Sequence, residues 1–168
     1  KYRACVCLML CAIKKDSKVD VYLGADHRGV NFKKRIKKIV LELGYRAVDM
    51  GSYDSKVSCD YPKVAYKVAH KVAGSRNDRG ILVCMSGIGQ TIAANKVRGA
   101  YAALCYNAAS AKLSRKHNNS NILVLGAKFV KPKEIQKIIK VWLTTEFEGG
   151  RHLRRLNLIK KMEKSLKG

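Results

Sequence analysis

Short apolar runs alternate with amphipathic segments along most of the chain. Five of the runs have the length and aliphatic character of buried strands, and apolar residues between them recur at the three- to four-residue spacing of a helix. The predicted strands are 19–25, 45–50, 80–84, 100–105 and 122–125. Strands that alternate with helices over short connections are typical of a parallel sheet covered on both faces. The predicted fold class is therefore α/β, a Rossmann-like three-layer sandwich with a five-stranded parallel sheet.

The boundaries of the predicted helices carry residues that favour helix starts and stops. A helix over 31–43 ends at Gly44, and the next has Pro62 in its first turn. Asn107 caps a later helix, and Pro132 opens another. The first strand is not followed by the Gly-x-Gly-x-x-Gly motif of dinucleotide-binding domains, which excludes an ordinary NAD-binding domain.

The chain is expected to form one domain over residues 19–168, because it shows no internal repeat and no linker. Residues 1–18 have a basic start and a short apolar run that faintly resembles a secretory signal. They lack a clear cleavage site, so we expect an appended tail outside the fold, with a targeting role as the alternative. No apolar run is long enough to span a membrane, and no membrane partner is predicted.

Charge and cysteine usage narrow the expected partners and compartment. Lys and Arg number 35 against 12 Asp and Glu, a net charge of +23, which attracts polyanions in general. The lysines are spread over predicted helix surfaces, as in 33–38, so a solvated surface is favoured over a specific nucleic-acid site. The six cysteines include no Cys-x-x-Cys pair, so no metal site is predicted. Reduced thiols fit a cytoplasmic protein.

The stretch 80–96 carries the strongest sign of chemistry. An apolar strand ends at Cys84, a glycine-bearing turn follows, and a helix resumes at Thr91. Backbone N–H groups at such a turn stabilise anions and developing oxyanions. Cys84 would face them as a base or nucleophile. The alternative is that Cys84 is only a small buried hydrophobe.

Other polar residues are candidates for the same site as the Cys84 turn, at the carboxyl edge of the sheet. Asp26 and His27 follow the first strand, so they should meet the Cys84 turn at the carboxyl edge. His117 ends a helix and would lie at the opposite edge of its own subunit, which a homodimer would resolve by presenting it to the partner's pocket. Arg151 and Arg155 share a helix face and could grip one phosphate. Taken singly, these residues also fit structural roles. Asp26 could cap a helix, His117 could end one, and His27, Arg151 and Arg155 could be surface residues.

Several short motifs occur in order and without large insertions from about residue 19 to residue 162. The motifs are Gly24-Ala25-Asp26-His27, Asp60-Tyr61-Pro62, Arg79-Gly80-Ile81-Leu82-Val83-Cys84, Ser86-Gly87-Ile88-Gly89, Ile92-Ala93-Ala94-Asn95-Lys96, Ser114-Arg115-Lys116-His117-Asn118-Asn119 and Glu146-Phe147-Glu148-Gly149-Gly150-Arg151-His152. Together they resemble one family, ribose-5-phosphate isomerase type B, in the sugar-phosphate isomerase group that includes galactose-6-phosphate isomerase subunits.

The resemblance implies a Rossmann-like homodimer with active sites shared between subunits. It implies the interconversion of ribose 5-phosphate and ribulose 5-phosphate through an enediolate, as in the pentose phosphate pathway, without metal or cofactor. Cys84 would move a proton between C1 and C2, and His117 would assist ring opening. Ser86 and the backbone amides of the turn would hold the enediolate. The turn residues with that role are Gly87, Ile88 and Gly89.

The resemblance also assigns substrate-binding residues. Asp26 would bind sugar hydroxyls, and Asn118 would contribute from the partner subunit. Tyr61, in the second motif, is placed among the binding residues as well. The phosphate would be held by His27, Arg151 and Arg155, with Lys128 standing where the family often has an arginine.

Two more positions depart from the family pattern. Met85 stands where glycine is usual, directly after the expected base, and could narrow the cradle. Gln90 lies where some relatives have a glutamate base, and an amide cannot act as one. Two alternatives stay open: a six-carbon substrate such as allose or galactose 6-phosphate, and an inactive basic binding protein on the same fold.

Overall fold

The computed structural model describes residues 19–165, which form a five-stranded sheet with all neighbouring strands parallel, in the order β2-β1-β3-β5-β4. The strands are β1 Asp20–Ala25, β2 Arg46–Asp49, β3 Arg79–Cys84, β4 Ala102–Leu104 and β5 Ile122–Gly126. The helices are α1 Val30–Glu42, α2 Tyr61–Ala73, α3 Ile88–Ala94, α4 Ala108–Asn118, α5 Ile135–Thr144 and α6 Gly150–Ser165. The predicted fold class is confirmed. The proposed tail, 1–18, lies outside the described residues.

Two apolar layers bury the sheet from both sides. Helices α1, α4 and α5 cover one face, where Leu23, Ile81 and Leu123 point from the central strands. Helices α2 and α3 cover the other face, where Leu82 and Val124 point. Side chains alternate between the faces along each strand, so strands covered twice need apolar residues at nearly every position. This is why the central strands are continuous apolar runs in the sequence.

Some element boundaries differ from the predicted ones. Strand β4 is half the length predicted from its apolar run, because side-chain amides take the bonds at its start. Asn121 Oδ1 accepts from the Tyr101 N–H at 2.7 Å, and Asn95 Oδ1 accepts from the Ala102 N–H at 2.8 Å. Pro132 begins a short 3₁₀ turn, and α5 starts only at Ile135. Asn107 caps α4 as predicted, with its side chain accepting from the Ser110 N–H at 2.8 Å.

The strand order positions a crevice at one edge of the sheet. β1 lies between β2 and β3, so the chain leaves the carboxyl ends of β1 and β3 towards opposite sides. Open α/β sheets bind ligands at such a switch point. Within the part of the chain that the structure describes, no helix has the length and apolar character needed to cross a bilayer.

Candidate active site

A cavity of about 570 Å³ opens at the carboxyl ends of β1 and β3. Its walls come from three segments: the residues after β1, the loop that leads into α2, and the turn after β3. The lining residues are Asp26, His27, Arg28, Ser58, Cys59, Asp60, Tyr61, Pro62, Lys63, Cys84, Met85, Ser86 and Gly89. The cavity therefore lies at the switch point of the sheet, with a thiol, an imidazole and carboxylates around it.

The turn after β3 holds the Cys84 thiol against a backbone donor. The Gly87 N–H donates to Cys84 Sγ at 3.0 Å, and Cys84 is 5% exposed. Gly87 has φ of 85°, a left-handed conformation that favours glycine, so its residue type is what lets the amide turn towards the sulfur. The Ile88 N–H donates to Ser86 Oγ at 3.3 Å. Ser86 thus accepts from the turn and keeps its own hydroxyl hydrogen for another partner.

The residues after β1 are fixed by a cap and by the neighbouring loop. Asp26 Oδ1 accepts from the Gly29 N–H at 2.9 Å, so the capping interpretation holds while Asp26 also lines the cavity. The Cys59 N–H donates to His27 Nδ1 at 3.3 Å. Nδ1 is therefore an acceptor, and in the neutral ring the proton lies on Nε2.

A buried lysine anchors the loop that carries Cys59. Lys33 of α1 is 1% exposed and forms an ion pair with Asp49, at the end of β2. Its ammonium also donates to the Ser52 carbonyl at 2.7 Å. A buried ammonium needs such partners, so these bonds tie the start of the loop to the sheet. The loop in turn orients His27 through Cys59.

Tyr61 closes one side of the cavity against Gly89. A Cβ on Gly89 would lie 2.6 to 2.9 Å from the Tyr61 ring and hydroxyl. The absence of a side chain at Gly89 therefore allows Tyr61 to approach the turn closely. Tyr61 is 41% exposed, so its ring borders solvent as well as the turn.

A second polar cluster lies where α4 ends and α6 begins. His117 Nε2 and His152 Nε2 lie 3.6 and 3.7 Å from the same Glu148 oxygen, Oε2, and the two rings stack at 4.3 Å. Lys116 forms an ion pair with the other carboxylate oxygen. The hydrogen bond from Lys116 lowers the pKa of Glu148, and burial lowers the pKa of His152, with smaller effects from His117 and Arg151.

Two imidazoles and a carboxylate are also a common metal ligand set, and the ligand atoms of this cluster lie within 4.8 Å of one another. The stacked rings argue against that use. A metal binds an imidazole nitrogen in the plane of the ring, and the planes of His117 and His152 are nearly parallel, at 9°. One ion cannot lie in the planes of both rings. The Glu148 carboxylate is also already paired with the Lys116 ammonium. The arrangement suits a charge cluster better than a metal centre.

Comparison with known proteins decides the family. The family model described as Ribose/Galactose Isomerase matches residues 21–159. This chain belongs to the ribose/galactose isomerase family. Ribose-5-phosphate isomerase B of Escherichia coli is 40% identical over 143 residues, which is 85% of this chain and 95% of that protein. D-erythrulose-4-phosphate isomerase of Pectobacterium atrosepticum is 38% identical over 132 residues, 79% of this chain and 87% of that one.

A solved structure shares the whole fold. Ribose-5-phosphate isomerase B from Mycoplasma genitalium, with bound ribulose-5-phosphate, superposes with a TM-score of 0.85 at 39% identity. The match covers 89% of this chain and 99% of that one. The isomerase family named by the sequence motifs is thereby confirmed.

The site residues suggested by the resemblance fall into two groups in this isomerase-family chain. One group surrounds the cavity or forms the turn beside it: Asp26, His27, Tyr61, Cys84, Ser86, Gly87, Ile88 and Gly89. The other group lies on α4 and α6, away from the walls of that cavity: His117, Asn118, Arg151 and Arg155. The position of His117 at the end of α4 is the one expected within a single subunit. The functional roles of both groups stay predictions.

The positions that depart from the isomerase pattern lie close to the turn. Met85 is 40% exposed and lines the cavity beside Cys84. Its carbonyl accepts from the Lys128 N–H at 3.0 Å, so Lys128 follows the turn closely without lining the cavity. Gln90 is fully buried, and neither polar atom of its side chain has a hydrogen-bond partner within 19–165.

Sequence reasoning gave no role to several residues that the structure places at these two sites. Glu148 and His152 lie in the motif at 146–152, and their spacing of four residues is a signal for a contact across a helix start. Cys59 and Lys63 flank the Asp60-Tyr61-Pro62 motif and line the cavity. Their only signal was that neighbourhood, since the contact of Cys59 with His27 spans 32 residues.

Gly126 is a further position that shapes the turn. It lies opposite Cys84 in the β3–β5 register, and a Cβ there would stand 2.4 Å from the Ser86 carbonyl oxygen. Gly126→Ala is expected to lower the free energy of unfolding by about 1–3 kcal/mol, because the turn has to move to make room. Urea denaturation checks this against Gly74→Ala, whose Cβ would meet nothing closer than 3.7 Å. Equal stability of the two variants would contradict the close packing.

Proposed function

We propose that this protein is an aldose–ketose isomerase that interconverts ribose 5-phosphate and ribulose 5-phosphate through an enediolate. The observation that carries the proposal is the Cys84 thiol, which accepts a hydrogen bond from Gly87 inside a cavity shared with Asp26, His27 and Ser86. An aldose–ketose shift needs a base beside one carbon and donors for the oxyanion, and it needs no hydride carrier. The bound ribulose-5-phosphate in the Mycoplasma genitalium relative supports this substrate class.

Cys84 acts as the base in this proposal. Its thiolate removes the C2 proton of the open-chain aldose, and the electron pair forms the enediolate. A proton then passes from the O2 hydroxyl to O1, and the thiol returns a proton to C1, which gives the ketose. The Gly87 N–H stabilises negative charge on the sulfur. Gln90 lacks a carboxylate and is buried away from the cavity walls, so it leaves the proton transfer to Cys84.

Ser86 and the turn bind the enediolate oxygens. The Gly87 amide is engaged with the sulfur and the Ile88 amide with Ser86, so the Ser86 hydroxyl and the Gly89 amide are left to face substrate. These donors stabilise the oxyanion more than the neutral sugar, and this difference lowers the barrier. Asp26, and Tyr61 against the turn, bind sugar hydroxyls.

A second subunit completes the site. His117 and Asn118 do not line the cavity of their own subunit, so we propose that His117 of the partner subunit assists ring opening and Asn118 of the partner subunit binds a sugar hydroxyl. His117 would take the proton of the anomeric hydroxyl and return one to the ring oxygen. Arg151 and Arg155 of the partner subunit would reach the phosphate, together with His27 at the cavity and Lys128 beside the turn that follows β3.

The surface of the subunit supports a homodimer. Helix α6 buries only His152 and Leu156 of its sixteen residues within the described structure. Apolar side chains are exposed on α3, α4 and α6: Ile88, Ile92, Leu113, Leu153, Ile159 and Met162. Exposed apolar residues on neighbouring elements are typical of association surfaces. A second copy would cover them and bring the two residue groups together.

The proposal includes one isomerase domain over 19–168, with 1–18 as an appended tail. The family match over 21–159 supports the domain. It also includes a cytoplasmic location, supported by free cysteines at 59, 84 and 105, because a reducing compartment keeps the catalytic thiol intact.

A turnover assay tests the proposal. The full-length protein is incubated with ribose 5-phosphate, allose 6-phosphate and galactose 6-phosphate, and the ketose product is measured in each case. The proposed function predicts the highest kcat/KM with ribose 5-phosphate. The description of the family names galactose as well as ribose, so a preference for a six-carbon sugar is the first alternative. No turnover of any of the three would refute isomerase activity.

An inactive basic protein on this fold is the second alternative, favoured by Met85 beside the thiol and by the net charge of +23. Such a protein would bind nucleic acid with a steep salt dependence and turn over no sugar phosphate. The same preparation can be tested for both properties.

Arg155→Ala is expected to raise KM for ribose 5-phosphate roughly 10- to 100-fold with a smaller change in kcat, because a charge-assisted bond to the phosphate is lost. Steady-state kinetics checks this against Lys161→Ala, which removes an exposed charge from the same helix. An unchanged KM for Arg155→Ala, or an equal rise in both variants, would contradict the phosphate role.

A further inference from the structure

A second cavity, of about 540 Å³, opens at the opposite edge of the sheet, where the strands begin. The turn between α1 and β2, the start of β3 and the end of α5 form its walls. Arg79 begins β3 and Cys84 ends it, so about 17 Å of strand separate this cavity from the thiol. It is therefore a different place from the proposed active site.

Arg115 brings a buried positive charge to this cavity. It is 5% exposed, and its Nη1 donates to Asn119 Oδ1 at 2.9 Å and to the Ser120 carbonyl at 2.6 Å. Its Nε donates to the Thr145 carbonyl at 3.3 Å. All three acceptors are neutral oxygens, and Nη2 has no hydrogen bond within the described chain. These bonds fix the guanidinium in place and leave its charge without a counter-ion.

Arg79 places a second guanidinium at the same cavity. Its Nη1 donates to the carbonyls of Asn77 and Asp78 at 2.9 and 3.0 Å. Burial lowers the pKa of Arg79, and burial together with the charge of Arg79 lowers the pKa of Arg115 to about 10. Both side chains line the same cavity, so their positive charges repel one another in a partly dehydrated place.

The rest of the lining does not offset these charges. Lys140 adds a third cation at the end of α5. Glu146 lines the cavity and is exposed, but it forms no ion pair with Arg79 or Arg115 among residues 19–165. The cavity therefore holds a net positive charge and has room for a ligand.

The geometry points to a binding site for a compact oxyanion of the phosphate class, held between the guanidiniums of Arg79 and Arg115. Within the described chain, Arg79 keeps Nε and Nη2 free to donate two parallel hydrogen bonds to phosphate oxygens, and Arg115 keeps Nη2 for a further one. A dianion would offset both the buried charge of Arg115 and the half-buried charge of Arg79, which a single carboxylate would not. Inorganic phosphate or the phosphate group of a larger metabolite would satisfy this chemistry.

A two-dimensional NMR titration of the full-length protein with inorganic phosphate tests the site. The amide signals of Gly44, Tyr45 and Thr145 report on the second cavity, and those of Ser86 and Gly89 report on the proposed active site. The titration is repeated with Arg79→Gln and with Arg76→Gln. Arg76 is an exposed arginine near the same edge that does not line the cavity, so its variant is a control matched in charge.

We expect saturable shifts of the second-cavity amides in the wild type and in Arg76→Gln, and phosphate affinity there about tenfold weaker or lost in Arg79→Gln. Isomerase turnover should stay unchanged in Arg79→Gln. Second-cavity amides that do not respond, or that respond equally in Arg79→Gln and the wild type, would overturn the site. A titration with ribose 5-phosphate then distinguishes free phosphate from a sugar phosphate as the preferred source. The active-site amides and turnover report separately on the proposed isomerase function.

Discussion

Replacing Cys84 with alanine is expected to lower kcat for ribose 5-phosphate about a thousandfold, the middle of the range for loss of a general base. The Cys84 thiol lines the cavity and accepts a hydrogen bond from the Gly87 N–H. Alanine at position 84 removes the sulfur, so no base is left beside that donor. Ser86 and the turn amides remain, so substrate binding and KM should change much less. Steady-state kinetics on the purified variant measures both constants.

The structure offers a matched control for this variant. Cys59 lines the same cavity, and its backbone N–H, which alanine keeps, is the group that contacts His27. Cys59→Ala should therefore retain kcat within about threefold, since no proton transfer is assigned to its sulfur. Thermal unfolding of both variants should match the wild type. A Cys84→Ala protein that is folded and turns over substrate at the wild-type rate would refute the assignment of the base.

Mixing two inactive variants is expected to restore activity. Cys84→Ala removes the base from the cavity, and His117→Gln removes the ring-opening group that the proposal takes from the partner subunit. After unfolding and refolding in equal amounts, about half of the dimers are mixed, and each holds one intact site of two, so roughly a quarter of the wild-type activity should return. Turnover of the mixture, with the dimer fraction measured by light scattering, checks this.

The control for this experiment is the double variant. A chain that carries both Cys84→Ala and His117→Gln, refolded with the wild type in equal amounts, leaves each mixed dimer with two sites that each lack one group, so only the wild-type dimers, about a quarter of the total, should be active. If the mixture of single variants regains no activity although mixed dimers form, His117 and Cys84 act within one subunit, and the shared site is wrong.

The fold could be predicted from the sequence because its central strands are buried on both faces. Such strands must be apolar at nearly every position, so the runs ending at Ala25, Cys84 and Gly126 stand out without any structure. The length of the edge strand β4 was harder to predict, because Asn95 and Asn121 on other elements determine where its pairing begins. Local sequence carries no signal for contacts of that kind.

The cavity side of the site could be predicted for the same topological reason. Asp26, His27 and Cys84 follow the strands whose carboxyl ends meet at the switch point, so chain order alone brings them together. The bond from Cys59 to His27 and the stacking of His117 on His152 depend on loop paths and helix ends. Arg79 and Arg115 lie on different elements, so only the structure shows that their two positive charges line the same cavity.

The most direct test of the account follows the substrate proton itself. Ribose 5-phosphate is incubated in D₂O with the wild type and, separately, with Cys84→Ala, and the C2 and C1 proton signals of the sugars are followed by NMR. Because a thiol proton exchanges with solvent, proton transfer through Cys84 predicts deuterium in the sugars with the wild-type protein and almost none with the variant over the same time. Labelling at equal rates by the two proteins would contradict the account.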